Sequence, residues 1–336
     1  MFSANCILRT NCHAHNFHLL DDTMTEAATN YKHFWNEKST SYTGALIAVD
    51  GSSDESAVLA TGAHSASQVM AALKLDGNSR VLEIGCGVAR IGLPLAPQVG
   101  FWQGVDISEN MVGVARQRLA AHKNVATDAI VKPALPFGDA SFDAVYCIAV
   151  FIHMDKEDFY LYLREALRVL KPGGRIYFDH WNLTHAVGFK RFWYEANYYD
   201  KAGDPAVRKD VARNQFSTPD EIRALLQHVG FIETAIMPDT PWVQACAMKL
   251  DPNAGGLQIQ DERSRISAAY DVINYGQAWT RYFDWILPVV FEGLAPKIIL
   301  EKLTHEPDTV MRRMYQTWLV AAWRGNEAAY GPAPSA

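Results

Sequence analysis

Val81-Leu-Glu-Ile-Gly-Cys-Gly-Val-Ala-Arg-Ile-Gly92, followed by Gly104-Val-Asp106, decides how this chain is read. An apolar run that ends in Gly85-x-Gly87 and passes into helix-compatible text is a strand turning sharply into a helix. Its glycines stand where a side chain would block a ligand. A second apolar run then ends in one acidic side chain, Asp106. A carboxylate at the tip of the next parallel strand can accept hydrogen bonds from both hydroxyls of a ribose. The pattern implies a doubly wound α/β sheet that binds an adenosine-like molecule.

In a dinucleotide fingerprint the third glycine falls five positions after the first, so that a helix N-terminus can meet pyrophosphate. Here that position is Arg90. The loop is therefore a poor pyrophosphate cradle, while Glu83 just before it supplies a negative charge better suited to a cationic ligand.

Three further blocks follow: Leu135-Pro-Phe-Gly-Asp-Ala-Ser-Phe-Asp143-Ala-Val-Tyr-Cys147, Val150-Phe-Ile-His153-Met, and Arg168-Val-Leu-Lys-Pro-Gly-Gly174-Arg-Ile-Tyr-Phe-Asp179. With the glycine turn, in this order and spacing, the chain resembles the class I S-adenosylmethionine (SAM)-dependent methyltransferases of small-molecule type, over roughly residues 75–250. The resemblance implies a mostly parallel, seven-stranded, Rossmann-like sheet. It also implies roles. Gly85, Cys86 and Gly87 pass beneath the methionine part of SAM, Glu83 is the acid that orders that loop, and Asp106 clamps the ribose. Ile107 and Met111 line the adenine side, Cys147 and Ile148 form the strand end near the sulfonium, and Arg90 joins the cofactor contacts. Two departures stand out. Ala89 replaces the last glycine of the family turn, read as one extra methyl at a helix start. Val131 occupies the place of an Asp that contacts the adenine amino group, which leaves that contact unassigned.

With 336 residues, 49% apolar and 20% charged, the chain has ample sequence for a large core. A net charge of -6 without any basic run argues against a nucleic-acid partner. Five cysteines without paired spacing fit a reducing compartment, so the expected location is the cytoplasm. No apolar run reaches membrane-spanning length, since Trp285 to Leu300 is interrupted by Glu292 and Lys297. The first 23 residues look unlike a signal peptide, and Met24-Thr-Glu-Ala reads as a natural start; residues 1–23 are expected to be an extension without ordered structure. Cys6, Cys12, His13, His15 and His18 match no metal-ligand spacing, so no metal is expected.

The text divides into an N-terminal helical lid (24–75), a SAM-binding part (76–250) and a helical C-terminal extension (257–328). Strands are expected near 80–84, 101–106, 143–148, 175–179, 231–237 and 242–249. Asp155 is placed to cap a helix carrying Phe159, Leu163, Leu167 and Leu170 until Pro172 and Gly173 stop it. Thr218-Pro-Asp-Glu221 is a capping box opening a helix that buries Ile222, Leu225, Leu226 and Val229 and ends at Gly230. Apolar residues of the extension recur at three- and four-residue steps, which predicts helices; Thr317 to Trp323 alone could also pass for a family-type last strand.

A sulfonium is already activated, so an enzyme that moves its methyl group needs chiefly to align the acceptor and exclude water. The family places the acceptor where the loop after Cys147, the segment after Asp179 and the lid converge. Those segments suggest Trp181, Asn182, Trp193, Tyr194 and Tyr198 as substrate contacts and an aromatic pocket suited to a flat or partly apolar small molecule. His153 and His180 are the candidate bases. Each reading has a plainer rival: His153 as a turn-capping residue, and the aromatic run 189–199 as a packing face against the C-terminal helices. The expected activity is methylation of a small molecule, with oxygen preferred to nitrogen or carbon on base rates alone. The alternatives are a SAM-dependent lipid-modifying enzyme and a non-catalytic partner subunit, against which the intact Gly85, Gly87 and Asp106 weigh. A homodimer through the C-terminal helices is the expected assembly.

Overall fold

The structure, a computed structural model, describes residues 31–201, 214–254, 256–274 and 276–334. Residues 1–23, including the Cys6 to His18 group, lie outside them.

Seven strands form one path in the order β3-β2-β1-β4-β5-β8-β7. They are β1 (Arg80–Ile84), β2 (Phe101–Asp106), β3 (Val125–Ala129), β4 (Phe142–Cys147), β5 (Leu170–Asn182), β7 (Ile232–Met237) and β8 (Trp242–Met248). The first five are parallel, and β8 runs antiparallel to both neighbours. An eighth, two-residue strand, β6 (Phe216–Ser217), pairs with the end of β5. Strand β3 escapes the sequence reading because Val125-Ala-Thr-Asp-Ala, at the sheet edge, buries only Thr127 and lacks the apolar run of an inner strand.

Side chains alternate between the faces. On one, Leu82, Val145, Ile176 and Val243 pack with Phe159 and Leu163 of α6 (Lys156–Val169) and Ile222 and Leu226 of α8 (Pro219–Val229). On the other, Val81, Ala144, Tyr146 and Tyr177 meet Val69 and Leu73 of α3 (Glu55–Leu73), with Ile266 of α9 (Leu257–Ala268) and Ile273 of α10 (Tyr270–Ile273). Helix α8 carries the expected capping box, with Gly230 as its left-handed terminator. Helix α6 differs from expectation at both ends. Asp155 stands at its N-cap in extended conformation, but its side chain makes no capping bond. The helix passes at Leu170 straight into β5, so Pro172 and Gly173 fall inside the strand, where the pairing with β4 slips between Phe142–Leu170 and Ala144–Arg175.

Ahead of the sheet come a helix through residues 31–38 (α1), α2 (Tyr42–Asp50) and α3; within it, α4 (Gly92–Leu95) follows β1 and α5 (Glu109–Arg118) follows β2, and Trp35 of α1 and Leu46 and Val49 of α2 pack with Val88 of the turn after β1 and Met111 of α5. Ser41 and Asp54 cap α2 and α3 by accepting the amides of Gly44 and Ser56. After the sheet, α11 (Gly276–Glu292), α12 (Pro296–Thr304) and α13 (Val310–Arg324) share a core around Tyr282, Ile286, Ile299 and Leu319. Thr317 to Trp323 is helical, so the rival last strand is not formed. Trp318 Nε1 donates to the Asp50 carbonyl at 2.7 Å and ties α13 to the end of α2. Among the described residues, no helix is long and apolar enough to cross a membrane.

Candidate active site

Strand β1 ends in a turn whose amides are already committed to protein. Those of Gly85 and Cys86 donate to the Val105 carbonyl at 2.8 and 3.0 Å, and that of Gly87 to Asp106 Oδ2 at 2.8 Å. This leaves little for a pyrophosphate, in agreement with the missing third glycine. Gly85 and Gly87 have φ of 73° and 50°, and a Cβ at Gly85 would lie 2.4 Å from Val150 Cγ2. The turn therefore needs glycine both for its dihedrals and for the space above it. Ala89 does not open a helix, as expected; it is itself left-handed, with φ 55°, so its methyl carries strain of about 1 kcal/mol.

Two buried carboxylates face this turn. Asp106 Oδ1 also accepts the Ser108 amide, and burial pushes its carboxyl upward against these hydrogen bonds. An ionised carboxylate offers about four lone-pair directions, so acceptor capacity remains for a ligand hydroxyl. Glu83 Oε2 accepts from the Tyr146 hydroxyl at 2.6 Å, and that hydroxyl accepts from Trp102 Nε1 at 2.9 Å. Burial drives Glu83 up to about 8, and neighbouring Asp106 adds to the rise, while Tyr146 and Arg90 oppose it. A carboxyl held in that condition gains from an incoming cation.

Two adjoining chambers open over these strand ends. The first, of ≈ 340 Å³, is lined by Glu83, Gly85, Cys86, Gly87, Arg90, Asp106, Ile107, Met111 and Ile148, together with Tyr31 and Trp35 of α1 and residues 130–133. Nine of the ten residues that the resemblance assigns to the cofactor thus meet in one cavity. Cys147 is the exception: strand alternation turns it into the core with Leu82, Val145 and Phe178, and its thiol is fully buried there. Val131 lines the chamber, half exposed, so no acid stands at that position.

The second chamber, of ≈ 220 Å³, shares Val49, Arg90, Ile148 and Ala149 with the first. Its wall is aromatic: Trp242 from β8, Trp279 and Phe283 from α11, and Tyr315 and Trp318 from α13. Trp242 lies 4.7 Å from Phe283, and Tyr315 stacks on Trp318 at 5.7 Å between ring centroids. Its polar side holds Asp50, Thr61, His64, Ser65, Arg90 and Asp179. Arg90 Nη1 donates to Ser65 Oγ at 3.0 Å and its Nε stands 3.8 Å from Asp50 Oδ1, which also accepts from Thr61 Oγ1 at 2.6 Å. The Asp50 side chain is only 7% exposed, and its Oδ2 has no hydrogen-bond partner. Asp179 Oδ1 accepts the Ala149 amide at 2.7 Å, and burial pushes its carboxyl up to about 6 against that bond and the Arg90 charge. Burial also lowers His64 to about 4.

The sequence-named acceptor residues are mostly elsewhere. Trp181 stacks at 4.9 Å on Trp242 and backs the aromatic wall without lining it. Asn182 is fully buried and ties Pro238 and Thr240 carbonyls to Thr184, a structural task. Trp193 is half exposed on α7 (Ala186–Lys201), and Tyr194 stacks on Phe291 and donates to Glu292. Of the described residues in the run on α7, Tyr194 packs against α11, while Phe189, Phe192 and Trp193 are exposed. The Tyr198 side chain lies outside the described residues. His153 lines the first chamber, edge-on to Trp35 at 5.1 Å, and not the second. His180 lines neither: β5 alternation points it at Phe159, and burial lowers it to about 4. Of the residues missed, Asp179 closes the last of the family blocks but has no role assigned to it there, and Asp50, His64, Trp242 and Trp318 carry no motif. Only Trp318 belongs to an aromatic helical periodicity, and that pattern does not say what it faces. Among the described residues no group of three or more His, Cys, Asp or Glu is placed to hold a metal.

Comparison with known proteins adds a second line of evidence. A family model described as a methyltransferase domain matches residues 81–174. The chain is 35% identical over 201 residues to the demethylmenaquinone methyltransferase of Staphylococcus epidermidis, covering 55% of this chain and 81% of that protein. It is 35% identical over 113 residues to methyltransferase GfsG of Streptomyces halstedii, a match spanning 32% of this chain and 40% of that protein. The magnesium protoporphyrin IX methyltransferase of Synechocystis PCC 6803, solved with bound SAH, superposes with a TM-score of 0.50 at 19% identity, covering 66% of this chain and 99% of that one.

Proposed function

The chain belongs to the class I S-adenosylmethionine-dependent methyltransferases, and from that premise we propose that it moves the methyl group onto a hydroxyl oxygen of a small molecule. One observation carries the reading: a glycine-turn chamber with two buried carboxylates opens, across Arg90, Ile148 and Ala149, into a second and aromatic chamber. A cofactor and an acceptor each have a place, and the two places touch.

The residues present fit SAM. The Cβ-free turn at Gly85 and Gly87, with Cys86 between them, takes the methionyl part; Asp106 takes the ribose hydroxyls; Ile107 and Met111 line the adenine side. Glu83 faces the cationic half of the ligand and recovers, on binding, part of the cost of its burial. Arg90 and Ile148 stand at the passage between chambers. When bound, SAM supplies an electrophilic methyl carbon whose sulfonium needs no further activation. The chain's own contribution is then positional: the aromatic wall presses an acceptor against the Ile148–Ala149 corner, and Trp35, Val49 and His153 exclude water from the reacting region.

The curated relative named for demethylmenaquinone supports an acceptor of small-molecule type. The second chamber, of ≈ 220 Å³ with a polar inner side, suits a ring of modest size better than a long acyl chain. Helices α11 and α13 wall that chamber, a use for the C-terminal segment that requires no partner enzyme. The test is direct. Calorimetry should show one mole of SAM bound per chain, and incubation of the full chain with isotope-labelled SAM and a metabolite extract should release S-adenosylhomocysteine and label an O-methyl product. Label found only on nitrogen or carbon overturns the oxygen assignment, and SAM binding without any turnover favours a partner-subunit role.

A further inference from the structure

Asp179 is a buried carboxylate that lines the aromatic chamber and does not line the first one. It extends from β5 at the register of Gln244 and borders the Ile148–Ala149 corner, where the two chambers meet. Its Oδ1 holds the amide of Ala149, a residue kept left-handed at φ 58°. An ionised carboxylate has further lone-pair directions, which a ligand donor can use. Across the same chamber Asp50 Oδ2 is a buried acceptor without a donor. Buried acceptors of this kind are costly unless a ligand satisfies them. Between the two carboxylates and the rings of Trp242, Phe283 and Trp318 there is room for a flat molecule whose face is apolar and whose edge carries O–H groups.

Resting on the reading above, we propose that the acceptor is a planar aromatic alcohol, a phenol or quinol, and that Asp179 is the base that takes its hydroxyl proton while Asp50 accepts from a second polar hydrogen of the ring system. The step balances. The O–H bond breaks and its proton passes to an Asp179 carboxylate oxygen; an oxygen lone pair forms the O–CH3 bond; the S–CH3 bond breaks and leaves S-adenosylhomocysteine; the proton on Asp179 is then lost to solvent. His153 and His180, outside this chamber, take no part. A carboxylate pushed up to about 6 is a stronger base than an ordinary one and is still ionised at neutral pH. The groups facing it are Arg90 from the turn after β1, Asp50 from α2, His64 from α3 and Tyr315 from α13, and the Cys147 thiol of β4, on the core face, also feels its charge. Of these, His64 is lowered to about 4, and Tyr315 and Cys147 are raised by burial, so they titrate well away from Asp179. Asp50 is also raised, and its own variant must be profiled beside that of Asp179.

The experiment uses the full chain with 2-naphthol, naphthalene and a nitrophenol already ionised at the assay pH. Asp179→Asn keeps an oxygen for the Ala149 amide, so a merely structural role predicts little change. We expect it to lower kcat/KM for 2-naphthol by about 100-fold or more and to remove the rise of activity through pH 6, with the loss shrinking to less than about threefold for the ionised phenol. Asp50→Asn is expected to raise KM and to leave that pH rise in place. Without turnover, quenching of the chamber tryptophans should show 2-naphthol bound at least about tenfold more tightly than naphthalene. Equal losses on both phenols, an unchanged pH profile, or naphthalene bound as well as naphthol would each overturn the proposal. Calorimetric SAM binding separates the outcomes: SAM bound and label carried to amines or acids alone sinks the phenol assignment only, whereas no SAM binding sinks the methyl-transfer reading as well.

Discussion

The two chambers are built in opposite ways. The first is largely a backbone object: its floor comes from residues 83–91 and 106–111, shaped by left-handed turns and committed amides, and residues 130–133, 148–162, Tyr31, Trp35, Ala48 and Val49 complete its walls. The second is a side-chain object drawn from residues 49 to 318, in which rings from β8, α11 and α13 meet carboxylates from α2 and β5. Holding a common methyl donor can be fixed by a few adjacent residues. Choosing an acceptor depends on which distant helices happen to pack over the strand ends.

If that contrast holds, damage to one chamber should leave the other standing. The largest expected effect is that of Asp106→Ala, which removes the ribose acceptor and frees the Gly87 and Ser108 amides: SAM affinity falls about 100-fold or more by calorimetry, with binding of 2-naphthol retained. SAM bound as in the parent would break the comparison at its stronger side. Next comes Trp318→Ala, which strips a wall ring and the bond to the Asp50 carbonyl. Acceptor KM should rise at least about tenfold while the SAM dissociation constant stays within about twofold. A matching loss of SAM affinity would show that the chambers are one unit.

The first chamber was legible in the sequence because its chemistry is tied to chain direction. A glycine turn after β1 and an acid at the end of β2 have fixed places in a doubly wound sheet, and the fold class follows from the same text. Where that logic stopped, the errors have physical causes. The resemblance assigns Cys147 to the cofactor, yet the pleat directs it into the core, and His180, a candidate base from the sequence, lies on the face of β5 turned away from both chambers. Asp179, one residue earlier, has the right face. Trp193 and Tyr194 were chosen for aromatic content alone, which cannot distinguish a binding wall from the contact between α7 and α11.

A smaller effect sharpens the contrast through pH. Free Glu83, raised to about 8, is largely protonated at pH 7, and a bound cation favours its ionised form. Binding therefore releases a proton, so SAM affinity should increase several-fold between pH 6 and 8 and level off above; calorimetry in buffers of different ionisation heat reads the proton count. The same shift acts on the empty protein. A carboxyl whose folded value lies above its unfolded one binds more protons when folded, so stability declines as pH rises towards about 8. Glu83→Gln should remove both slopes, raise the melting temperature of the empty protein at pH 8, and weaken SAM. A variant that kept the affinity slope would assign the proton to another group. The smallest expected effect belongs to Ala89→Gly, which relieves the left-handed strain against a gain of unfolded-chain freedom. A net stabilisation of about 0.5 kcal/mol by denaturant titration, with both chambers unaffected, is the outcome consistent with a tolerated methyl.

The Trp318–Asp50 bond joins positions 268 residues apart. During synthesis the chain leaves the ribosome from its N-terminus at about 5–20 residues per second. The nucleotide-binding half of the sheet can therefore form many seconds' worth of translation before α13 emerges to seal the neighbouring cavity. Until α13 emerges, the aromatic chamber lacks the rings of Tyr315 and Trp318 and the tie from Trp318 to the Asp50 carbonyl.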